Sequence, residues 1–230
     1  MDKKAWLIFS VIVVAILGSM ILLSMQKKTD INDLTDDKII GVINAEKRNG
    51  NIADHTFGNQ NAKVVVIEYA DYQCSGCGAA SPKMKDLAEK YKDDILLIFR
   101  NFPLANSHPN ARAASAVAEA AGLQGKFWEM HQLLFKNQRE WSSASATDRN
   151  KIFQSYAQGL GLDVDKLKND AASEAVKNKI DFDLALGHKQ KVSATPSFYI
   201  NGKNTEMDSD GSIEKSLKEA LKEAGIPTKE

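Results

Sequence analysis

The sequence predicts an α/β domain carrying an inserted all-helical subdomain and preceded by one N-terminal transmembrane helix. Three observations carry this. Residues 63–99 hold a β-branched run, a helical stripe and a second apolar run, the pattern of a βαβ unit. Residues 102–192 read as helical throughout, too long a stretch to be a connection between strands. Residues 5–25 are apolar apart from Ser10, Gly18, Ser19 and Ser24. As a helix they would span about 31 Å, close to the hydrocarbon thickness of a bilayer.

In chain order, residues 1–4 form a short tail, read as cytoplasmic, and Trp6 suits a membrane interface. The other reading of 5–25 is a cleaved signal peptide, but the run exceeds a usual signal core and no Ala-x-Ala site follows it. Lys3 and Lys4 are matched by Lys27 and Lys28, so flanking charge scarcely orients the segment. A lipid-modified cysteine at the segment is excluded, because neither cysteine is near it. Residues 26–52 read as a linker and entrance. Within them 26–38 are polar, hold four aspartates and show no helical apolar period, so they are expected to be a flexible tether about 20 Å long. Residues 39–43 suit a short strand or an extra turn, and the Asn- and Gly-rich 49–61 a loop. The folded domain is therefore expected over 53–230, with the helical insert at about 105–191.

Residues 63–69 are β-branched and apolar except for Glu68, which suggests a strand covered on both faces with a carboxylate among apolar neighbours. Burial would raise the pKa of that carboxyl and let it pass a proton to or from a nearby thiol. A solvent-facing edge residue is the alternative. Ala80, Met84, Leu87, Ala88 and Tyr91 then share one helical face, so Cys74 falls at a helix N-terminus and Cys77 one turn later. Unpaired N–H groups and the helix dipole stabilise a thiolate there. Pro82 is expected to kink this helix. Residues 95–99 form the next strand, and Arg100 reads as a solvated or salt-bridged surface residue.

Within the insert, Asn110 to Ala121 make an alanine-rich helix closed by Gly122, with Pro109 suited to its first turn. Phe127, Met130 and Leu134, then Phe153, Tyr156, Ala157 and Leu160, then Val176, Ile180 and Leu184 are further core stripes. Trp128 and Trp141 read as packing residues, with substrate contact the alternative for one near an active-site groove. His108 and His188 read as capping or surface histidines, the alternative being that either lines that groove beside the cysteines and modulates the thiolate. Residues 196–201 are a strand, Asn201-Gly202 a hairpin turn, and 203–207 the returning strand. Ile213, Leu217, Ala220, Leu221 and Ala224 face the core from a last helix stopped by Gly225.

The cysteine pair admits three readings. Zinc needs four ligands, and the four histidines show no close pairing to complete the set. A purely structural disulfide between residues this close would restrain almost no chain. A redox-active dithiol is the third, and the lack of any cysteine outside the pair suits an oxidising compartment. With 30 basic and 30 acidic residues there is no net field to favour nucleic acid or another polyanion.

The runs Asp54-His55 with Gly58, Ala62-Lys63-Val64, Glu68-Tyr69-Ala70-Asp71-Tyr72-Gln73-Cys74, Phe99-Arg100-Asn101-Phe102-Pro103-Leu104 and Thr195-Pro196-Ser197-Phe198 resemble the DsbA-like thiol:disulfide oxidoreductases of the thioredoxin superfamily. The resemblance covers roughly residues 53–225. It implies a thioredoxin-like fold in which Cys74 attacks, Cys77 resolves, Glu68 is the buried acid beneath them, and Pro196 is a cis-proline. Thr195 would then present its backbone to an extended substrate, as an added strand would. No cofactor beyond the cysteine pair is implied. The implied partners are reduced or unfolded exported proteins and a membrane redox partner, quinone-linked, that reoxidises the pair. The catalytic domain would lie on the extracytoplasmic side of the cell membrane, held by the N-terminal helix.

Two positions depart from the family pattern. Ser75-Gly76 stands between the cysteines where many members carry proline and a thiolate-stabilising residue, so a less stabilised thiolate and a less oxidising disulfide are expected. Ala194 replaces a frequent glycine. The opposite direction of exchange, as a reductase or isomerase, stays open. So does a reading from another class, a non-catalytic tethered module that grips extended peptides.

Overall fold

The computed structural model describes residues 6, 9–14, 29–208 and 210–228. Most of the predicted membrane segment 5–25 and the first residues of the tether lie outside them. Residues 9–14 are helical, and among the described residues no helix is long and apolar enough to cross a membrane. From Ile31 onward the chain forms one compact unit.

Its centre is a five-stranded sheet in the order β1-β3-β2-β4-β5. The strands are β1 (His55–Gly58), β2 (Val64–Ala70), β3 (Ile95–Asn101), β4 (Ser197–Ile200) and β5 (Lys203–Thr205). β2 and β3 are parallel, joined by helix α1 (Ser75–Lys90), and the other pairs are antiparallel. Side chains alternate across a strand, and β2 serves two cores. Val64 and Val66 pack with Met84 and Leu87 of α1 and with Leu217 and Leu221 of α7 (Glu214–Glu223). Ile67 and Tyr69 face the other way, onto Phe182 and Leu186 of α6 (Glu174–Lys189). Both faces are therefore covered, as the continuous apolar run predicts. The Asn201-Gly202 turn takes positive φ at both residues, 48° and 79°, which matches the twist of a tight hairpin.

The insert holds α2 (Ala111–Gly122), α3 (Phe127–Lys136), α4 (Ala146–Gly159) and α5 (Val164–Ala171) before α6, with a helical turn at Gln138–Trp141. Trp141 is fully buried and donates its indole N–H to the Leu134 carbonyl at 2.9 Å, so it is a packing residue as expected.

Three expectations need correction. The segment from Ile31 is not a free tether. Ile31, Leu34, Ile39 and Ile43 are buried against Tyr69, Phe102 and Leu186, each apolar side chain of this kind contributing roughly 1.5–3 kcal/mol when fully buried. Their spacing follows no helical period because only Asp36–Ile39 is helical, and the rest is an extended strap. Secondly, 49–61 is not all loop, since β1 pairs along the β3 edge. At four residues with one large apolar side chain, Phe57, it gives almost no alternation to read. Thirdly, Arg100 is no surface residue. It is fully buried, donating to Asp54 at 2.8 Å, to the Tyr69 hydroxyl at 3.0 Å and to the carbonyls of Ile39 and Gly41.

Candidate active site

β2 ends at Ala70, and Asp71 shapes the loop that follows. Its Oδ1 accepts the Gln73 N–H at 2.7 Å and its carbonyl accepts the Cys74 N–H at 3.1 Å, an Asx turn that delivers Cys74 to the start of α1. The other carboxylate oxygen holds the Leu104 N–H at 2.8 Å and His108 Nδ1 at 2.7 Å, so the connection after β3 is pinned to the same loop. Cys74 is the N-cap of α1, in extended conformation, and half-buried. Cys77 is buried one turn on, with the Asp71 N–H 3.5 Å from its sulfur.

These two thiols differ sharply. The Cys77 thiol donating to Cys74 is the largest influence holding the latter down, to about 5, against the opposing effect of burial. Thr195 and the backbone N–H groups of Cys77 and Gly76 add to it. Cys77 is pushed far above the ordinary thiol range by burial, by its bond to Cys74 and by the nearby charges of Cys74 and Glu68. The expectation that Ser75-Gly76 leaves the thiolate less stabilised than in other members is a comparison with those members. The dipeptide brings no cation, but the backbone and the partner thiol suffice to hold Cys74 down. Ser75 itself is exposed.

The Thr195-Pro196 bond is cis, and the Thr195 carbonyl lies 3.2 Å from Cys74 Sγ, accepting its proton in the dithiol form. Gly76 packs against the same group. A Cβ there would sit 3.4 Å from Pro196 Cδ, 3.6 Å from Cys74 Sγ and 3.8 Å from the Thr195 carbonyl oxygen. These are ordinary van der Waals distances, so the geometry does not demand glycine at Gly76. Glu68, paired with Phe198 across β2 and β4, is buried, and its Oε1 has no hydrogen-bond partner among the described residues. Burial raises its pKa to about 7. The carboxyl borders a cavity of about 50 Å³ with Met84, Leu97, Trp128 and His131, which reaches Lys85 and Glu89 at the surface. That is room for a few waters to carry its proton. His131 is held neutral by burial, its pKa near 3, and its Nδ1 is 3.0 Å from the Tyr72 hydroxyl.

All the residues expected from the sequence converge here: Cys74, Cys77, Glu68, Thr195 and Pro196, with Ser75 and Gly76 between the cysteines. Asp71, Tyr72, His131 and Gln138 were not foreseen as site residues. Asp71 had a signal, an aspartate two residues before Gln73 at the end of a strand. Tyr72 lies in the same loop, within the run that carries the resemblance; His131 and Gln138 are brought in by the insert, and nothing local in the sequence marks them.

A thioredoxin family model matches residues 50–223. Among solved structures, a thioredoxin-like oxidoreductase from Silicibacter pomeroyi has 24% identity and a TM-score of 0.61, covering 76% of this chain and 94% of that one. BdbD from Bacillus subtilis has 21% identity and a TM-score of 0.64, covering 80% and 98%. Wolbachia pipientis alpha-DsbA1 has 20% identity and a TM-score of 0.66, covering 83% and 96%. At these identities the likeness is one of fold. By sequence, a Na(+)/H(+) antiporter NhaA 3 from Salinispora tropica is 37% identical over 150 residues, 65% of this chain. The match spans only 22% of that relative's length, so a part of it is similar and the whole is not. With a family model matching most of its length, the chain belongs to the thioredoxin family, and it shares its fold with BdbD and alpha-DsbA1.

Proposed function

We propose that this protein is a thiol:disulfide oxidoreductase that introduces disulfides into exported proteins. The observation that carries the reading is the asymmetry of the pair, a Cys74 thiol with a pKa near 5 beside a Cys77 thiol pushed far up. At neutral pH Cys74 leaves and attacks as thiolate while Cys77 holds its proton. In the oxidised enzyme a substrate thiolate attacks Cys74 Sγ, the Cys74–Cys77 bond breaks, and its electron pair goes to Cys77, which needs a proton. Glu68, with its pKa near 7, can supply that proton and take it back on reoxidation. A second substrate thiolate then attacks the substrate sulfur of the mixed disulfide and expels Cys74 as thiolate. The stability of that leaving group favours oxidation of the substrate. The Thr195 backbone beside cis-Pro196 offers the substrate segment its strand-like contact.

The same reading places the domain outside the cytoplasm, where disulfides persist, anchored by residues 5–25 and reoxidised by a quinone-linked membrane partner. The test is exchange of the cysteine pair against graded glutathione buffers together with trapping. Cys77→Ser, with Cys74 first loaded as a mixed disulfide by oxidised glutathione, should pass to a mixed disulfide with a reduced exported protein as the substrate thiolate attacks Cys74 Sγ and glutathione leaves. A strongly reducing midpoint would reverse the direction, and a Cys74 that never exchanges would leave only a peptide-binding module.

A further inference from the structure

We propose that Gln138 is a positioning residue of the cysteine pair, fixing the backbone of Cys74 from the helical insert and so keeping its thiolate stabilised; this rests on the exchange reading above. The Gln138 Nε2 donates to the Tyr72 carbonyl at 2.7 Å and to the Cys74 carbonyl at 2.8 Å. One amide thus uses both its protons to bracket the two residues that lead into α1. The insert holds Gln73 as well, through the Asn110 N–H on Oε1 and the Ser142 carbonyl on Nε2, each at 2.7 Å. Asn110 in turn donates to the carbonyls of Trp141, Ser142 and Ala144, which fixes the chain that follows the Gln138–Trp141 turn.

A second observation is independent of these bonds. Gly78 lies in the first turns of α1, where glycine costs about 1 kcal/mol relative to alanine. It does not adopt a left-handed conformation, so the backbone does not require glycine. A Cβ there would stand 2.8 Å from Gln138 Oε1 and 3.2 Å from its Cδ and Nε2. The bare position is where the glutamine amide sits.

The chemical consequence follows from what stabilises the thiolate. Its donors include the N–H groups of Gly76 and Cys77 and the Cys77 thiol, all in the first turn of α1. They reach Cys74 Sγ only while Cys74 keeps its extended N-cap geometry, at φ −69° and ψ 124°. Its carbonyl already accepts the Gly78 N–H at 3.0 Å, and Gln138 supplies the second donor that stops the loop swinging away from the helix.

The experiment is titration of the Cys74 thiolate by its ultraviolet absorbance in the reduced full-length chain, with melting temperature measured in parallel. Gln138→Ala and Gln138→Glu should raise the Cys74 pKa by about one unit, the scale of one backbone N–H contact to the thiolate lost as the loop shifts. Gln138→Glu should have the larger effect, since it loses both donations as alanine does and in addition sets a negative carboxylate against the two carbonyl oxygens and near the thiolate. Gly78→Ala keeps the glutamine but displaces it, and it should raise the pKa in the same direction although alanine is the better helix former. An unchanged Cys74 pKa in Gly78→Ala, or a Gln138→Ala protein that melts lower with its thiolate titrating as in the wild type, would overturn the proposal. The titration reads the sulfur directly, so a wild-type protein that fails to exchange with substrate would refute the enzymatic reading and leave this test standing.

Discussion

Two buried polar regions lie along the same pair of central strands, and they are built in opposite ways. Around Arg100, at the end of β3, Asp54, Lys179, Asp183, Asn101 and Glu119 form an ion-paired network. Arg100 meets Asp54 at 2.8 Å, Lys179 bridges Asp54 at 2.9 Å and Asp183 at 2.7 Å, and Asn101 joins Asp183 to Glu119, which His55 reaches at 2.7 Å. On β2, Glu68 is equally buried and its Oε1 has no partner among the described residues. The titrations follow. Despite burial, the guanidinium and ammonium hold Asp54 well below the usual carboxylate range, whereas burial alone lifts Glu68 to about 7. In the network Asp183 is the exception, lifted to about 6 by burial with Asp54 and Glu119 close by, although Lys179 opposes it. Asn101 Oδ1 is without a partner in the network too, but there the charged groups face opposite charges, whereas Glu68 faces none and keeps the freedom to exchange a proton.

Removing one partner from the ion-paired network should have the largest effect on stability. Arg100→Met leaves Asp54 with Lys179 and the Ile43 N–H but removes its guanidinium and the donors to the Ile39 and Gly41 carbonyls. It is expected to cost about 3–5 kcal/mol in chemical denaturation, with the Cys74 titration little changed in the folded fraction. If that variant proved as stable as the wild type, the network would not be what holds the strap of residues 39–43 to the sheet. Glu68→Gln should do the reverse. Its stability should be close to or above that of the wild type at neutral pH, while proton transfer to Cys77 slows, the overall exchange rate falling by roughly 10²-fold, within the range seen for a general acid–base group. A rate unchanged across pH would remove Glu68 from the mechanism.

The pH dependence sharpens the contrast further. The folded pKa of Glu68 is raised above its unfolded value, so the folded state binds the extra proton and stability declines as pH rises from about 4.5 towards about 7. This loss, on the order of 3 kcal/mol at most, should vanish in Glu68→Gln. Cys74 has the opposite sign. Its folded pKa is depressed, so its contribution is present at high pH and lost as pH falls through about 5. Denaturation profiles of the two proteins between these limits check both signs. The smallest effect is expected at His188, which is exposed and meets Phe102 edge-on at 5.2 Å. His188→Ala should leave exchange within about two-fold, as for surface substitutions generally.

The region around Glu68 was the more legible of the two from sequence. A carboxylate inside a β-branched run, a CxxC at the start of a helical stripe and a Thr-Pro before a strand are local signals, and each marks a functional side chain. The ion-paired network is invisible in the same sequence. Asp54, Arg100, Lys179 and Asp183 are separated charges, each ordinary for a surface, and only the fold brings them together. Gln138 is hidden for the same reason, since its partners lie more than sixty residues away in the chain. The strap from Ile31 escaped because burial without regular secondary structure has no period to detect.

The most direct test is the pH profile of Cys74 alkylation in the reduced chain, measured for wild type and Glu68→Gln. A stabilised thiolate above a free buried acid gives a main step near pH 5 and a second inflection near pH 7 that Glu68→Gln removes. A single step near pH 8.5, the ordinary value for a cysteine, in both proteins would contradict it.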